Sequence, residues 1–93
     1  MAYYVVTNTY LDSPRLGEVR VVHREYLQTL VGGRGLRAAG PLPQASPPGG
    51  VLIFEAASAD EVAALLADDP LEHAGLVASQ RIDEWNPVIG NAF

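Results

Sequence analysis

His23 is the side chain best suited to chemistry in this sequence. It sits in RVVHREYL, residues 20–27, among Leu16, Val19, Tyr26, Leu27 and Leu30, all at helical spacing. On a helical wheel this set falls within a sector of roughly 100°. His23 lies inside the sector and Arg20 at its edge. An imidazole titrates near neutrality, and burial or a carboxylate neighbour tunes it for acid/base work. A packed core histidine bonded to a backbone carbonyl produces the same pattern, so the helix by itself leaves both readings open. A carboxylate partner would favour the first, and Asp68 and Asp69 are the candidates. Asp69 precedes Pro70, so it can cap a short helix that begins at the proline. A carboxylate can cap and still face a pocket. Asp68 reads as a solvated helix end. Arg20, one turn before His23, can bind an anion or steady a developing oxyanion at the same site. It can equally pair with Glu18 or Glu25 on the surface. A His–carboxylate pair without a nucleophile suits proton abstraction beside a carbonyl, which is lyase or isomerase chemistry and needs no cofactor.

Several elements must bring these residues together. Residues 2–10, AYYVVTNTY, have the Tyr, Val and Thr content of a strand. A helix is expected from about Arg15 to Val31, ending at Gly32-Gly33. LRAAGPL, residues 36–42, reads as a second strand, and PQASPPGG as a loop. VLIFEAA, residues 51–57, is the clearest strand. Ser58 and Glu61 have the spacing of a capping box, so a second helix starts there and stops at Pro70. LEHAG can add one short turn, residues 76–85 form the last strand, and the tail NPVIGNAF is irregular. The order βαββαβ predicts an α+β, ferredoxin-like domain, a four-stranded antiparallel sheet with its helices on one face.

The strands carry large apolar side chains on both faces. Tyr3, Val5 and Thr7 oppose Tyr4, Val6 and Tyr10, and Val51 and Ile53 oppose Leu52 and Phe54. A half-solvated antiparallel strand should alternate apolar with polar. A second copy of the sheet would cover the spare face, so a homodimer with facing sheets is expected. A ligand pocket is the other explanation for so much apolar surface.

Composition narrows the function. The 93 residues suit a single domain, 1–93, and a net charge of −5 with no basic run argues against nucleic-acid binding. There is no cysteine, which excludes disulfides, thiol catalysis and thiolate zinc sites. His73 reads as a surface residue, and two histidines form no ligand cluster, so no metal site is expected. No run reaches the roughly 20 apolar residues that span a bilayer, and residues 1–13 lack the features of a signal peptide. A cytoplasmic protein that binds no membrane is the expectation. Gly40-Pro41 reads as a turn or as a close backbone approach to a ligand. Trp85 suits a core, an interface or a ligand shelf.

The ordered set of Arg20, His23, Tyr26 and Leu27, then Gly40-Pro41-Leu42, Asp69-Pro70, Ala74-Gly75-Leu76 and Trp85 resembles the YCII-related, or YciI-like, family along nearly the whole chain. The resemblance implies a dimeric α+β barrel, two ferredoxin-like units with sheets facing. It implies a His–Asp pair in a pocket, which maps onto His23 and Asp69. It also makes Arg20, Tyr26, Gly40, Pro41 and Trp85 candidate contacts for a small-molecule ligand. One relative type is a dehydrochlorinase of a chlorinated hydroxyhydroquinone. The Pro-rich loop PLPQASPPGG carries no acidic residue and departs from the family pattern.

Overall fold

The β-branched and aromatic N-terminal segment forms β1 (Ala2–Tyr10), and the His23 stripe lies on α1 (Leu16–Leu30). A computed structural model describes residues 1–90. The chain continues through β2 (Leu36–Leu42), β3 (Gly49–Ala56), α2 (Ala59–Ala67), α3 (Pro70–His73) and β4 (Val77–Trp85). The strands form one antiparallel sheet in the order β2-β3-β1-β4. That is the ferredoxin-like α+β arrangement expected from the element order. The expected irregular tail carries no helix or strand through residue 90, and its remainder lies outside the described residues.

Local rules account for the boundaries. α1 ends where Gly32 takes a φ of 76°, a conformation open to glycine at little cost. Ser58 caps α2 by accepting from the Glu61 N–H at 3.2 Å, and Glu61 Oε2 accepts from the Ala57 N–H at 3.2 Å. Pro70 opens α3, the short turn anticipated within LEHAG.

One boundary differs from expectation. Gly49 and Gly50 belong to β3 rather than to the preceding loop. They pair with Leu42 and Pro41 on one side and with Thr9 and Asn8 on the other. The backbones approach so closely that a Cβ on Gly49 would lie 2.8 Å from the Asn8 carbonyl oxygen. Glycine therefore acts here as a strand residue under a close approach. Pro41 is tolerated because β2 is an edge strand.

The helix-facing side of the sheet holds the core. Tyr4, Val6, Leu52 and Phe54 pack with Leu27 and Leu30 of α1 and with Val62, Leu65 and Leu66 of α2. A second cluster joins Tyr10, Leu16, Val19, Leu71 and Leu76, and it seats α3 beneath α1. The opposite face bears Tyr3 and Val5, and Val5 pairs with Ile53. No described helix lies over it. No described helix is long and apolar enough to cross a membrane.

Candidate active site

α1 presents its buried stripe to the sheet and to α3, with Leu16, Val19, His23, Leu27 and Leu30 all buried. His23 occurs one turn after Val19 and one turn before Leu27, so the packing that buries them also fixes the imidazole. α3 supplies the partner. Asp69 is its N-cap, and Oδ1 accepts from the Leu71 N–H at 2.9 Å. The same carboxylate straddles His23 Nδ1, with both oxygens at 2.8 Å. Asp69 is 3% exposed and His23 9%. The cap and the pairing are thus both present in one side chain. Asp68 is the exposed C-cap of α2 and has no part in this arrangement.

A cavity of about 290 Å³ opens between α1 and strands β2 and β3. His23 and Arg20 line it, as do Gly40 and Pro41. Asp69 does not; it stands behind the imidazole, on the side away from the cavity. Because Nδ1 faces the carboxylate, Nε2 is the nitrogen left for a ligand. Arg24 and Arg37 also reach the cavity, and no carboxylate among the described residues lines it. Arg37 is paired with Glu55. Arg20 and Arg24 have no acidic partner among the described residues, and the Glu18 partner proposed for Arg20 is engaged by Arg15 instead.

Two sequence candidates fall elsewhere. Tyr26 turns to α2, where its hydroxyl donates to the Leu65 carbonyl at 2.6 Å. It is the residue after Glu25 on the helix and points roughly 60° away from His23, into the main core. Trp85 pairs with Tyr3 at the far end of β1 from Tyr10, and neither lines the cavity. His73 is exposed on α3. No group of three or more His, Asp or Glu side chains able to hold a metal occurs among the described residues.

Tyr10, which the sequence places only on a strand face, is a polar residue of the cavity wall beside His23 and Arg20. Its ring meets the His23 ring edge-on, with centroids 6.5 Å apart and planes at 69°. The Arg20 guanidinium lies over the same ring, 5.5 Å from its centroid. Burial pushes the phenol above its ordinary value of 10.0. The hydrogen bond from Asn8 opposes that shift, the Asp69 charge adds to it, and Arg20 opposes it.

The YCII-related domain matches residues 1–86. The chain belongs to the YCII-related family. A search of the curated proteins finds no match. Among solved structures, the fold is similar to a 5-chloro-2-hydroxyhydroquinone dehydrochlorinase of Burkholderia phenoliruptrix in complex with 2,5-dihydroxybenzoquinone. That likeness has 26% identity and a TM-score of 0.74, covering 90% of this chain and 93% of the other. A NIPSNAP domain protein of Burkholderia xenovorans is similar at 15% identity and TM-score 0.61, covering 95% of each chain. An antibiotic biosynthesis monooxygenase is similar at 14% identity and TM-score 0.61, covering 96% of this chain and 100% of the other. The last two likenesses concern the fold alone.

Proposed function

We propose that this YCII-related protein is a small-molecule enzyme in which His23 is the general acid/base and Asp69 holds and supports its imidazole. The observation that carries the reading is the buried His23–Asp69 pair at 2.8 Å behind a cavity wall. With Nδ1–H donated to the carboxylate, neutral His23 offers the Nε2 lone pair to a ligand. A proton taken there creates an imidazolium that Asp69 stabilises across two short contacts. Arg20 is suited to hold the oxygen that becomes anionic, and Gly40-Pro41 to line the opposite wall.

The dehydrochlorinase among the similar structures suggests which substrates to try first. We propose hydroxylated rings that carry a leaving group. Loss of HCl from a chlorinated hydroquinone would take two proton transfers. His23 first moves one hydroxyl proton to the chlorine-bearing ring carbon, giving the keto tautomer. It then takes a second hydroxyl proton as chloride leaves that carbon and the ring electron pairs shift to the quinone. The elimination balances without an oxidant, reductant or cofactor. An isomerase that moves a proton within such a ring would use the same groups. The test is chloride release from 5-chloro-2-hydroxyhydroquinone. We expect turnover that His23→Ala abolishes, and turnover indifferent to that substitution would overturn the mechanism.

A second reading has its own observation. Asp69 caps α3 as well as binding His23. A metabolite-binding, non-catalytic protein could therefore keep the pair as a structural joint. Tight binding of a ring ligand without conversion, unaffected by His23→Ala, would favour it.

We also propose that the protein works as a homodimer through its sheet faces. Tyr3, Val5 and Val51 on the face away from the helices are only half-buried within one chain, beside buried Ile53, and a second copy of the sheet would cover them.

A further inference from the structure

We propose that Tyr10 is a ligand-binding residue of this cavity, its hydroxyl held by a Gln80–Asn8 relay so that it donates a hydrogen bond to an ionised oxygen of a ring ligand. The proposal rests on the reading of the cavity as a small-molecule site.

The relay is built on the buried side of the sheet. Along β1 that side reads Tyr4, Val6, Asn8, Tyr10, so an amide interrupts an otherwise apolar or aromatic series. Asn8 is 2% exposed. A buried amide is costly unless satisfied, and packing at this position asks only for an apolar side chain. Asn8 is satisfied in one direction. Its Oδ1 accepts from Gln80 Nε2 at 3.0 Å, across the β1–β4 pairing that sets Asn8 opposite Gln80. Its Nδ2 donates to the Tyr10 hydroxyl at 3.4 Å. Because the phenol oxygen accepts this bond, its own proton is free for another acceptor. No acceptor among the described residues takes it. The cavity that Tyr10 lines is the place for one.

The backbone at Gly50 makes room for the hydroxyl. Gly50 also lines the cavity, and a Cβ there would lie 3.0 Å from the Tyr10 hydroxyl oxygen and 3.3 Å from the Gly40 carbonyl oxygen. Glycine leaves that space to the phenol. The β1–β4 register shifts between Thr9 and Tyr10 with Ala78 of β4 as the extra residue, so β1 itself keeps its alternation and Tyr10 shares the buried face of Asn8. Opposite the hydroxyl's strand stands His23, and Arg20 covers the ring. A ligand oxygen in this corner would meet a cation, a phenol donor and an imidazole together. That set selects an acidic ring oxygen, an enolate or phenolate, over a neutral one.

The probe is 2,5-dihydroxybenzoquinone, an acidic ring dione ionised at neutral pH. It is titrated into the wild type, Tyr10→Phe and Gln80→Ala by its visible absorbance, with tyrosine labelled at Cζ for NMR. The wild type should bind, and the Tyr10 Cζ resonance should move on binding. Tyr10→Phe keeps the ring over which Arg20 lies and should weaken binding about tenfold, the worth of one hydrogen bond to a charged group. Gln80→Ala, at the solvent end of the relay, should weaken binding several-fold and shrink the Tyr10 Cζ displacement. Wild-type affinity in Tyr10→Phe, a Tyr10 resonance indifferent to the ligand, or no binding by the wild type would each overturn the proposal. The acid/base reading is separated by the His23 ring-nitrogen spectrum of the free proteins, which reports the His23–Asp69 pair whether or not Tyr10 binds ligand.

Discussion

Replacing Asp69 by alanine and by asparagine separates its two duties. In the native chain one carboxylate oxygen accepts from the Leu71 N–H at 2.9 Å, and both oxygens contact His23 Nδ1 at 2.8 Å. Asp69→Ala removes the cap, worth about 1 kcal/mol. It also strands a buried imidazole N–H, at about 1–3 kcal/mol. The sum is about 2–4 kcal/mol, which in a domain of this size lowers the melting temperature by roughly 10–30 °C. Asp69→Asn should cost about 1 kcal/mol or less, because its carbonyl oxygen can still cap Leu71. The amide NH₂ then faces His23 Nδ1, where two donors cannot meet. The neutral imidazole must move its proton to Nε2, the nitrogen proposed as the base. The same exchange in the Ser-His-Asp triad costs about 10⁴-fold in turnover. Thermal melts at fixed protein concentration give the stability arm, and ¹⁵N spectra of the histidine ring give the tautomer. Asp69→Asn should thus be nearly native in stability and have the wrong tautomer. The reasoning is refuted if Asp69→Ala melts within a few degrees of the wild type, or if His23 of the wild type carries its proton on Nε2.

Three other outcomes are expected. The wild type should elute as a dimer on gel filtration, and Val5→Glu, at a half-buried position of the sheet face away from the helices, should convert it to a monomer; a monomeric wild type would remove the dimer proposal. Burial raises the Tyr10 pKa above its unfolded value of 10.0, so the folded state favours the neutral phenol. That contribution is intact below pH 10, is lost as pH rises through the folded value, and should be reduced in Tyr10→Phe when urea stability is followed across that range. Ser58→Ala removes the α2 cap and should lower stability by about 1 kcal/mol in urea denaturation, without effect on the cavity.

The parts legible in the sequence were those set by local rules. Ser58 and Glu61 announce α2, Asp69-Pro70 announces a cap, and the stripe through His23 announces which face of α1 is buried. The His23–Asp69 contact spans 46 positions, and only the topology that sets α3 under α1 brings the two together. It could be suspected from residue types but not measured. Tyr26 and Trp85 look equivalent to ligand contacts as aromatic residues near family motifs. Their true directions depend on helix phase and strand register, which place Tyr26 on Leu65 and Trp85 beside Tyr3. Gly49 and Gly50 read as loop because glycine marks turns far more often than close strand approaches. A signal for Tyr10 was present: Asn8 is polar at a position whose neighbours two residues away, Val6 and Tyr10, face the core. The period-2 pattern flags such a residue, although its partner Gln80 lies on another strand.

On the proposed acid/base reading, the placement of Asp69 ties the chemistry to the fold's least self-sufficient element. α3 has four residues, too few to hold a helical turn by its own hydrogen bonds. Leu71, 0% exposed, anchors it in the cluster with Tyr10, Leu16 and Val19, and the Asp69 cap closes its first turn. The same cluster contains the apolar neighbours of His23 on α1 and the ring of Tyr10. Packing around Leu71 therefore positions three groups at once: the carboxylate behind the imidazole, the imidazole on the cavity wall, and the phenol across from it. A general base needs its orienting partner within hydrogen-bond reach at all times, whereas a four-residue turn left to itself would fray. Burying Leu71 completely, and using the cap itself as the orienting group, removes that freedom without adding a residue to the site.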